Sequence, residues 1–372
     1  MNKSWLCVAG MLIAPSSVLA TEFNWNGFMT FAAGKVLTGS VNGTNELGED
    51  CPCMISDFSQ NGVLTRSFDF DDSKLGLQGT VQFNDSLSLT GQVVSRGSRD
   101  FKVNVEWVYA TWQMDDNDTL QLGRKRLPLF YYSEQQDISF TYPWVHLPPQ
   151  TYGWEAVNYN GVNWNHQWSS GDWSGIVNSF AGTETRTDND YLKIYLDPSL
   201  EHGTRWDNIV GAEMTAAKDW FEGRLMLMRS ENSSREPGEA WTDPVQQLLF
   251  GASIQADFGQ WYASSELFFS DRTKSYGRDL AYSVLVGRRF GDLSLVFSHG
   301  MYQQKLNLDN PFELTDDSRE QHRLNSLVAR YELTASSAFK IQLDDWNDQS
   351  GSWFKSNYGN ARALSLAYDM VF

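Results

Sequence analysis

Cysteine and histidine are scarce in this chain of 372 residues, which has 3 cysteines and 5 histidines. Beyond the first twenty residues the cysteines are Cys51 and Cys53, and no histidine lies near them. Two interpretations are open, a local disulfide in a surface loop and a redox or metal site. A zinc site needs a second pair of ligands. The sequence offers no such pair near these cysteines, which favours the disulfide. We therefore predict no metal and no cofactor.

Basic residues are also few, because 29 Lys and Arg stand against 46 Asp and Glu and give a formal charge of −17. A nucleic-acid-binding protein would carry a basic face, so the charge argues against that class. The mean hydropathy of −0.43 leaves no room for several apolar membrane helices. The sequence excludes a helical membrane protein.

Motifs of hydrolytic enzymes are missing as well. None of the histidines is followed two positions later by serine, as barrel phospholipases require. The sequence has no Gly-x-Ser-x-Gly, His-Glu-x-x-His or phosphate-binding loop. We predict that the chain is not an enzyme.

The first twenty residues are typical of a secretory signal peptide. Lys3 supplies the basic start, residues 5–13 are a short apolar run, and small or apolar residues end at Ala20. The apolar run is too short to span a bilayer. Cleavage after Ala20 leaves residues 21–372 as a single exported domain.

The rest of the chain repeatedly alternates apolar and polar residues with a period of two. In residues 73–83 the apolar or small residues are at odd positions and the polar ones at even positions, and residues 339–344 show the same pattern. This pattern predicts strands with one apolar and one polar face. An ordinary antiparallel sandwich would show it too.

The connections between these strands distinguish the two architectures. Very short turns, such as residues 84–86 and 290–292, alternate with long polar connections, such as 38–66 and 127–155. Short turns on one rim and long loops on the other are typical of outer-membrane barrels. Seven short turns and eight long loops predict an all-β transmembrane antiparallel β-barrel of sixteen strands. The strands are expected at 23–37, 67–83, 87–95, 102–114, 119–126, 156–168, 173–184, 206–215, 220–230, 244–256, 261–270, 279–289, 293–304, 323–333, 339–346 and 361–372.

The end of the chain and the aromatic residues agree with this interpretation. Residues 364–372 alternate up to a terminal Phe372, a stripe that a lipid-facing surface explains. Aromatic residues make up 14% of the chain. Many lie near predicted strand ends, where amphipathic rings favour the headgroup level of a bilayer. Those expected there include Trp25, Phe31, Tyr109, Trp112, Trp168, Trp206, Trp220, Trp261, Tyr331 and Phe372.

Several segments resemble the trimeric general porins of Gram-negative outer membranes. Residues 73–79 (SKLGLQG) are similar to a motif on the second strand of that family, and residues 120–124 (LQLGR) to the end of its fifth strand. Residues 158–164 and the terminal Phe372 match its sixth strand and its final residue less specifically. Each motif is short, but their order covers the whole exported chain.

The resemblance implies a water-filled pore, a homotrimer and a third long loop, residues 127–155, that folds into the lumen. It also implies that carboxylates on this loop face cations on the wall. Lys74 and Arg124 match the wall cations by motif, and Arg126 lies near them in sequence. Strict alternation places Arg124 on the lipid face and Lys125 toward the lumen. A bulge at Gly123 would instead turn Arg124 toward the lumen. The candidate loop carboxylates are Glu134 and Asp137.

The loop departs from the family in being rich in aromatic residues and proline, which leaves selectivity open. Tyr131, Tyr132, Tyr142 and Trp144 either stack on sugars in the pore or anchor the loop against the wall. Neighbouring prolines favour the anchoring interpretation.

We therefore predict an outer-membrane porin for passive diffusion of small hydrophilic solutes and ions. A substrate-selective channel for a sugar or organic ion, and a non-conducting barrel that acts as a receptor or adhesin, are the alternatives. The expected partners are outer-membrane lipid, lipopolysaccharide, two further copies of the chain and the solutes themselves.

Overall fold

Sixteen antiparallel strands close into a β-barrel, as the alternation predicts. The structure is a computed structural model that describes residues 22–41, 51–196, 199–272, 276–307, 309 and 315–372. The barrel strands are β1 (Glu22–Ser40), β4 (Lys74–Asn84), β5 (Leu87–Arg96), β6 (Val103–Gln113), β7 (Asp118–Arg126), β8 (Asn158–Ser170), β9 (Trp173–Arg186), β10 (Gly203–Lys218), β11 (Phe221–Arg235), β12 (Val245–Asp257), β13 (Trp261–Arg272), β14 (Gly277–Phe290), β15 (Leu293–Leu306), β16 (Gln321–Thr334), β17 (Ser337–Asp348) and β18 (Asn360–Val371). A short hairpin, β2 (Met54–Asp57) and β3 (Gly62–Leu64), lies between β1 and β4.

The barrel closes because β1 pairs on both sides. It pairs with β18 through Phe28 and Val371, and with β4 through Trp25 and Gly79. Each barrel strand therefore has two neighbours, which satisfies the backbone donors and acceptors that lipid cannot satisfy.

The two faces of the wall differ as the sequence pattern requires. On β17, Phe339, Ile341 and Leu343 are exposed on the outside, about half of each side chain being accessible. The intervening Lys340 and Gln342 are buried on the inside. The apolar stripe is the outer surface that lipid covers, and polar side chains line the lumen.

The rims differ in the length of their connections. At one rim, which we call the short-turn end, β8 and β9 are joined by two residues after the pair Ser170 and Trp173. Gly171 has a φ of 58° there, a conformation that glycine adopts without strain. The opposite rim, the long-loop end, carries the connections between β1 and β4, β7 and β8, and β9 and β10.

Two sequence predictions were wrong in detail. The second barrel strand begins at Lys74 rather than at residue 67, because the segment before it joins the sheet only through a bridge between Gly34 and Asp69. Trp206 and Tyr109, both expected at the bilayer interface, face the lumen instead. Trp206 is buried there among apolar side chains, and Tyr109 lines a cavity.

The helices are short: α1 (Pro149–Tyr152), α2 (Asp190–Lys193) and α3 (Ser352–Asn357). None of the helices in the described ranges has the length and apolarity needed to cross a membrane. The predicted signal peptide, residues 1–20, lies outside the described residues.

Candidate pore constriction

The connection between β7 and β8, residues 127–157, folds into the lumen as predicted, and we call it L3. Its two ends are held together by the Leu127 amide, which donates to the Val157 carbonyl at 2.9 Å. Apolar side chains of L3 pack against inward residues of β9–β16, including Met226, Phe268 and Val328. This packing explains the aromatic content of the loop and fixes L3 across the barrel.

Polar wall residues bind the first part of L3. Glu266 accepts hydrogen bonds from the Tyr131 amide and the Tyr152 hydroxyl, both at 2.6 Å. Arg224 donates to the carbonyl groups of Pro128 and Leu129. A loop in a barrel has no strand partner for its carbonyl groups, so the arginine satisfies acceptors that would otherwise be buried without a bond.

Two cations further along the same wall, on β16 and β17, bind the middle of L3. Arg330 donates to the carbonyl groups of Phe140 and Tyr142 at 2.7 and 2.8 Å. Lys340 donates to the Trp144 carbonyl at 2.7 Å and forms an ion pair with Asp369 at 2.8 Å. Together with Arg224 and Glu266, these cations hold L3 against strands β11 to β17.

His146 of L3 links two further elements of the wall. Its Nδ1 lies 3.1 Å from Asp72, just before β4, and its Nε2 lies 3.3 Å from Asp344 of β17. Burial alone would lower the pKa of the imidazole, but the two carboxylates outweigh burial and raise it to about 10. The imidazole is therefore cationic at neutral pH and forms ion pairs with both carboxylates.

Asp137 of L3 forms a buried cluster of charges with β5, β6 and β7. It accepts from Arg96 at 2.8 and 2.7 Å and from Arg126 at 2.5 Å. Glu106 lies 2.6 Å from Arg96 and 3.3 Å from Arg126. Burial would raise the pKa of Asp137, but the two guanidinium groups hold it well below its usual range. Lys74 is also buried here, with Nζ 3.4 Å from the Gln136 carbonyl.

Glu134 behaves differently from Asp137, although only three positions separate them. Its side chain is 59% exposed in the lumen, and Lys125 of β7 lies 3.7 Å away. The register of β6, β7 and β8 runs without a shift at Gly123, so Lys125 rather than Arg124 faces the lumen. Arg124 instead forms a two-bond ion pair with Glu184 of β9 at 2.7 and 2.9 Å.

The structure thus brings three of the predicted constriction residues, Lys74, Arg126 and Asp137, into one area and leaves Glu134 and Arg124 outside it. The sequence prediction missed His146 of L3 and several wall residues that hold the loop. The missed residues are Arg96, Glu106, His146, Glu266, Arg330 and Lys340. Strand alternation identifies Lys340 as lumen-facing, since it opposes the lipid-facing stripe of β17.

The aromatic residues of L3 divide between two environments. Tyr142 and Trp144 are buried, and the Trp144 indole donates to the Ser298 hydroxyl at 2.9 Å. Tyr131 and Tyr132 are half-buried and meet edge to face, with ring centres 4.8 Å apart. Burial and the negative charge of nearby glutamate side chains raise the pKa of both phenols, so they remain neutral donors.

Two cavities at the short-turn end lie on either side of L3. The first chamber, about 650 Å³, lies between L3 and β1 with β4–β7. The second chamber, about 470 Å³, lies between L3 and β10–β16. Phe140 and Thr141 line both chambers and separate them.

The hairpin β2–β3 covers L3 from the long-loop end. The Ser59 hydroxyl accepts from the Trp154 amide at 3.0 Å, and Phe58 is buried against His322. Between this hairpin and L3 remains a cavity of about 10 Å³, so the two elements pack closely.

Cys51 and Cys53 form a disulfide at the base of the hairpin, in agreement with the interpretation that the sequence favoured. The expected surface position is wrong for Cys53, which is fully buried in a cluster with Val36 and Tyr358. In the described parts of the chain, no group of three or more His, Cys, Asp or Glu is arranged to hold a metal ion.

Comparison with known proteins places the fold among outer-membrane barrels. No protein-family model matches the chain, and no curated protein matches it. Similar solved structures include OmpT of Vibrio cholerae in a trimer form, with 10% identity and a TM-score of 0.57, covering 95% of this chain and 100% of that chain. OmpF of Salmonella typhi in complex with daunomycin has 12% identity and a TM-score of 0.59, covering 94% and 97%. An anion-selective porin from Comamonas acidovorans has 11% identity and a TM-score of 0.56, covering 95% and 100%. At this identity the similarity shows the fold alone.

Proposed function

We propose that the chain is an outer-membrane porin through which small hydrophilic solutes and ions diffuse passively. The observation that carries the proposal is a closed barrel, apolar outside, whose lumen holds two chambers with mixed polar and apolar linings beside an inward-folded loop. Such a barrel has an outer surface suited to lipid and an inner surface suited to water. The family resemblance and the porins among the similar structures support the same function.

L3 forms the constriction, and its charged residues have two different tasks. Glu134 and Lys125 face the first chamber and set the local field, because charges in a narrow lumen act strongly on passing ions. Lys74, Arg126 and Asp137 hold L3 against the wall. Since Glu134 is the more exposed partner, we expect a mild preference for cations.

The remaining assignments follow from this function. Residues 1–20 act as a cleaved signal peptide, and residues 21–372 enter the outer membrane, where lipid and lipopolysaccharide surround them. The chain assembles as a homotrimer, which the trimer form of a similar barrel supports. Transport is not coupled to a chemical reaction, and the chain is not an enzyme.

One observation favours a second candidate, a sealed barrel that acts as a surface receptor. The hairpin β2–β3 packs on L3 and leaves a cavity of about 10 Å³ between them. If this packing persists in the membrane, the long loops rather than the lumen would carry the function.

Solute flux into liposomes separates the two candidates. The refolded exported chain is inserted into liposomes, and swelling is recorded with a series of uncharged solutes of increasing size. A porin gives swelling rates that fall smoothly as solute size increases. Liposomes with correctly folded barrels that swell no faster than protein-free liposomes would contradict the porin and leave the receptor.

A further inference from the structure

On the inner wall of β4–β9, charged residues such as Arg96, Glu106 and Arg126 lie toward the long-loop end. Toward the short-turn end the same wall carries a row of uncharged amide and hydroxyl side chains, which we call the amide wall. These residues lie on the strand face opposite to lipid-facing residues such as Leu77 and Leu122. The amide wall consists of Gln78, Thr90, Gln92, Thr111, Gln121, Asn163, Asn165 and Asn178.

On the opposite wall, the charged inward residues Arg224, Glu266, Arg330 and Lys340 bind L3. The polar groups of the amide wall instead bond mainly to one another. Asn165 donates to Gln121 at 3.2 Å, for example.

Gln78 and Gln92 line the first chamber directly. The Gln92 amide donates to Gln78 Oε1 at 3.4 Å, and the Trp107 indole donates to the same oxygen at 3.2 Å. Gln92 is almost fully buried, yet its Oε1 has no hydrogen-bond partner among the described residues. A buried acceptor without a partner is costly, so this oxygen marks a position where a donor from a solute or water is favoured.

Aromatic rings complete the first chamber. Trp107 and Tyr109 lie beside the amides, and Phe140 of L3 lies across from them. Lys125 is already engaged, with Nζ 5.0 Å from the centre of the Tyr109 ring and 3.7 Å from Glu134. The chamber of about 650 Å³ has the size usual for small-molecule sites, which combine apolar surface with a few fixed polar groups.

We propose that the first chamber is a binding site for short, uncharged saccharides. Sugar hydroxyl groups both donate and accept, as the side-chain amides do, and the apolar faces of a sugar ring pack on aromatic side chains. Of the charged groups that line the same chamber, Lys125 is paired with Glu134, and Arg126 with Glu106 and Asp137. A charged solute would therefore lose hydration without gaining an unpaired opposite charge. This inference rests on the proposed channel function and deepens it, since it names the solute class that the channel holds during passage.

The test measures block of ion current by maltotriose in planar bilayers that contain the refolded exported chain. We expect the current to fall saturably as maltotriose is added on the side of the short-turn end. Gln92→Leu removes the unpaired acceptor and should raise the half-blocking concentration about tenfold, the loss expected for one or two hydrogen bonds. Gln255→Leu, the same change in the second chamber, should leave it unchanged.

A polyethylene glycol of the same hydrodynamic radius controls for simple exclusion by size. Its effect on the current should not saturate and should be equal in the wild type and in Gln92→Leu. A maltotriose block that does not saturate, or that Gln255→Leu weakens as much as Gln92→Leu does, would overturn the saccharide site while leaving a working porin.

Failure of the channel itself remains distinguishable. If the barrel carries no ion current, the proposed function fails, and maltotriose binding to the detergent-folded protein is then measured by isothermal titration calorimetry. Heat of binding that Gln92→Leu removes and Gln255→Leu retains would support the site without a channel. Absence of binding heat in the wild type would overturn it.

Discussion

Asp137→Asn should release part of L3 from the wall, because this residue bonds L3 to two arginines at once. The wild-type carboxylate accepts from Arg96 through Nε and Nη2 and from Arg126 through Nη2, at 2.5–2.8 Å. Asparagine has only one acceptor oxygen, and its NH₂ group would face the N–H donors of the guanidinium groups. The cluster of two arginines with Asp137 and Glu106 is neutral in the wild type and has a charge of +1 in the variant.

The magnitude follows from burial, since the four side chains are at most 7% exposed. Removing one partner of a buried ion pair typically costs about 3–5 kcal/mol, because the remaining charge is left without compensation. We therefore expect the free energy of unfolding of the detergent-folded variant to fall by that amount, which is read as a lower urea concentration at the unfolding midpoint. Single-channel current should also become noisier as L3 moves.

Glu134→Gln is the matched control for Asp137→Asn. It removes the same charge three residues earlier, but Glu134 is exposed and its nearest cation, Lys125, is 3.7 Å away. Exposed pairs contribute about 0–1 kcal/mol, so the unfolding midpoint should hardly change. If Asp137→Asn is as stable as Glu134→Gln and its current is equally quiet, the assignment of Asp137 as an anchor of L3 is refuted.

Three further predictions concern selectivity, pH and the hairpin. Glu134→Gln should lower the cation-to-anion permeability ratio, read from the reversal potential across a salt gradient, because it removes a negative charge from the lumen. His146 has a raised pKa in the folded protein, so its stabilising contribution is complete below pH 6.5 and is lost as the pH rises through about 10. Urea midpoints should fall over that range in the wild type and fall less in His146→Gln. Phe58→Ala should cost about 3–5 kcal/mol by removing a buried ring, and should increase single-channel conductance by loosening the hairpin over L3. Equal conductance in a correctly folded Phe58→Ala variant would show that the hairpin does not limit the current.

The barrel could be predicted from the sequence because strand alternation is a local signal. Lys340 and Gln342 lie between three apolar residues, and this spacing alone assigns them to the lumen. The same rule assigns Lys125 rather than Arg124 to the lumen once Gly123 is known to cause no shift in register. Trp206 shows the limit of the rule, because an aromatic side chain of a barrel can face either the lipid or a packed interior.

The contacts of L3 could not be predicted in the same way. Asp137 and Glu134 are both loop carboxylates, yet one is buried between arginines and the other is exposed. The difference depends on Arg96, which is 41 residues away from Asp137 in sequence. Likewise, His146 meets Asp344 only because closure of the barrel brings β17 next to L3. Such contacts are set by tertiary structure, for which a single sequence gives no periodic signal.

Single-channel conductance of the refolded exported chain in a planar bilayer tests the central claim most directly. We expect discrete current steps and a reversal potential across a salt gradient that indicates mild cation preference. A homotrimer would give steps in groups of three. A folded, heat-resistant barrel that inserts into the bilayer and carries no current would contradict the porin, and the packing of the hairpin on L3 would then describe a sealed barrel.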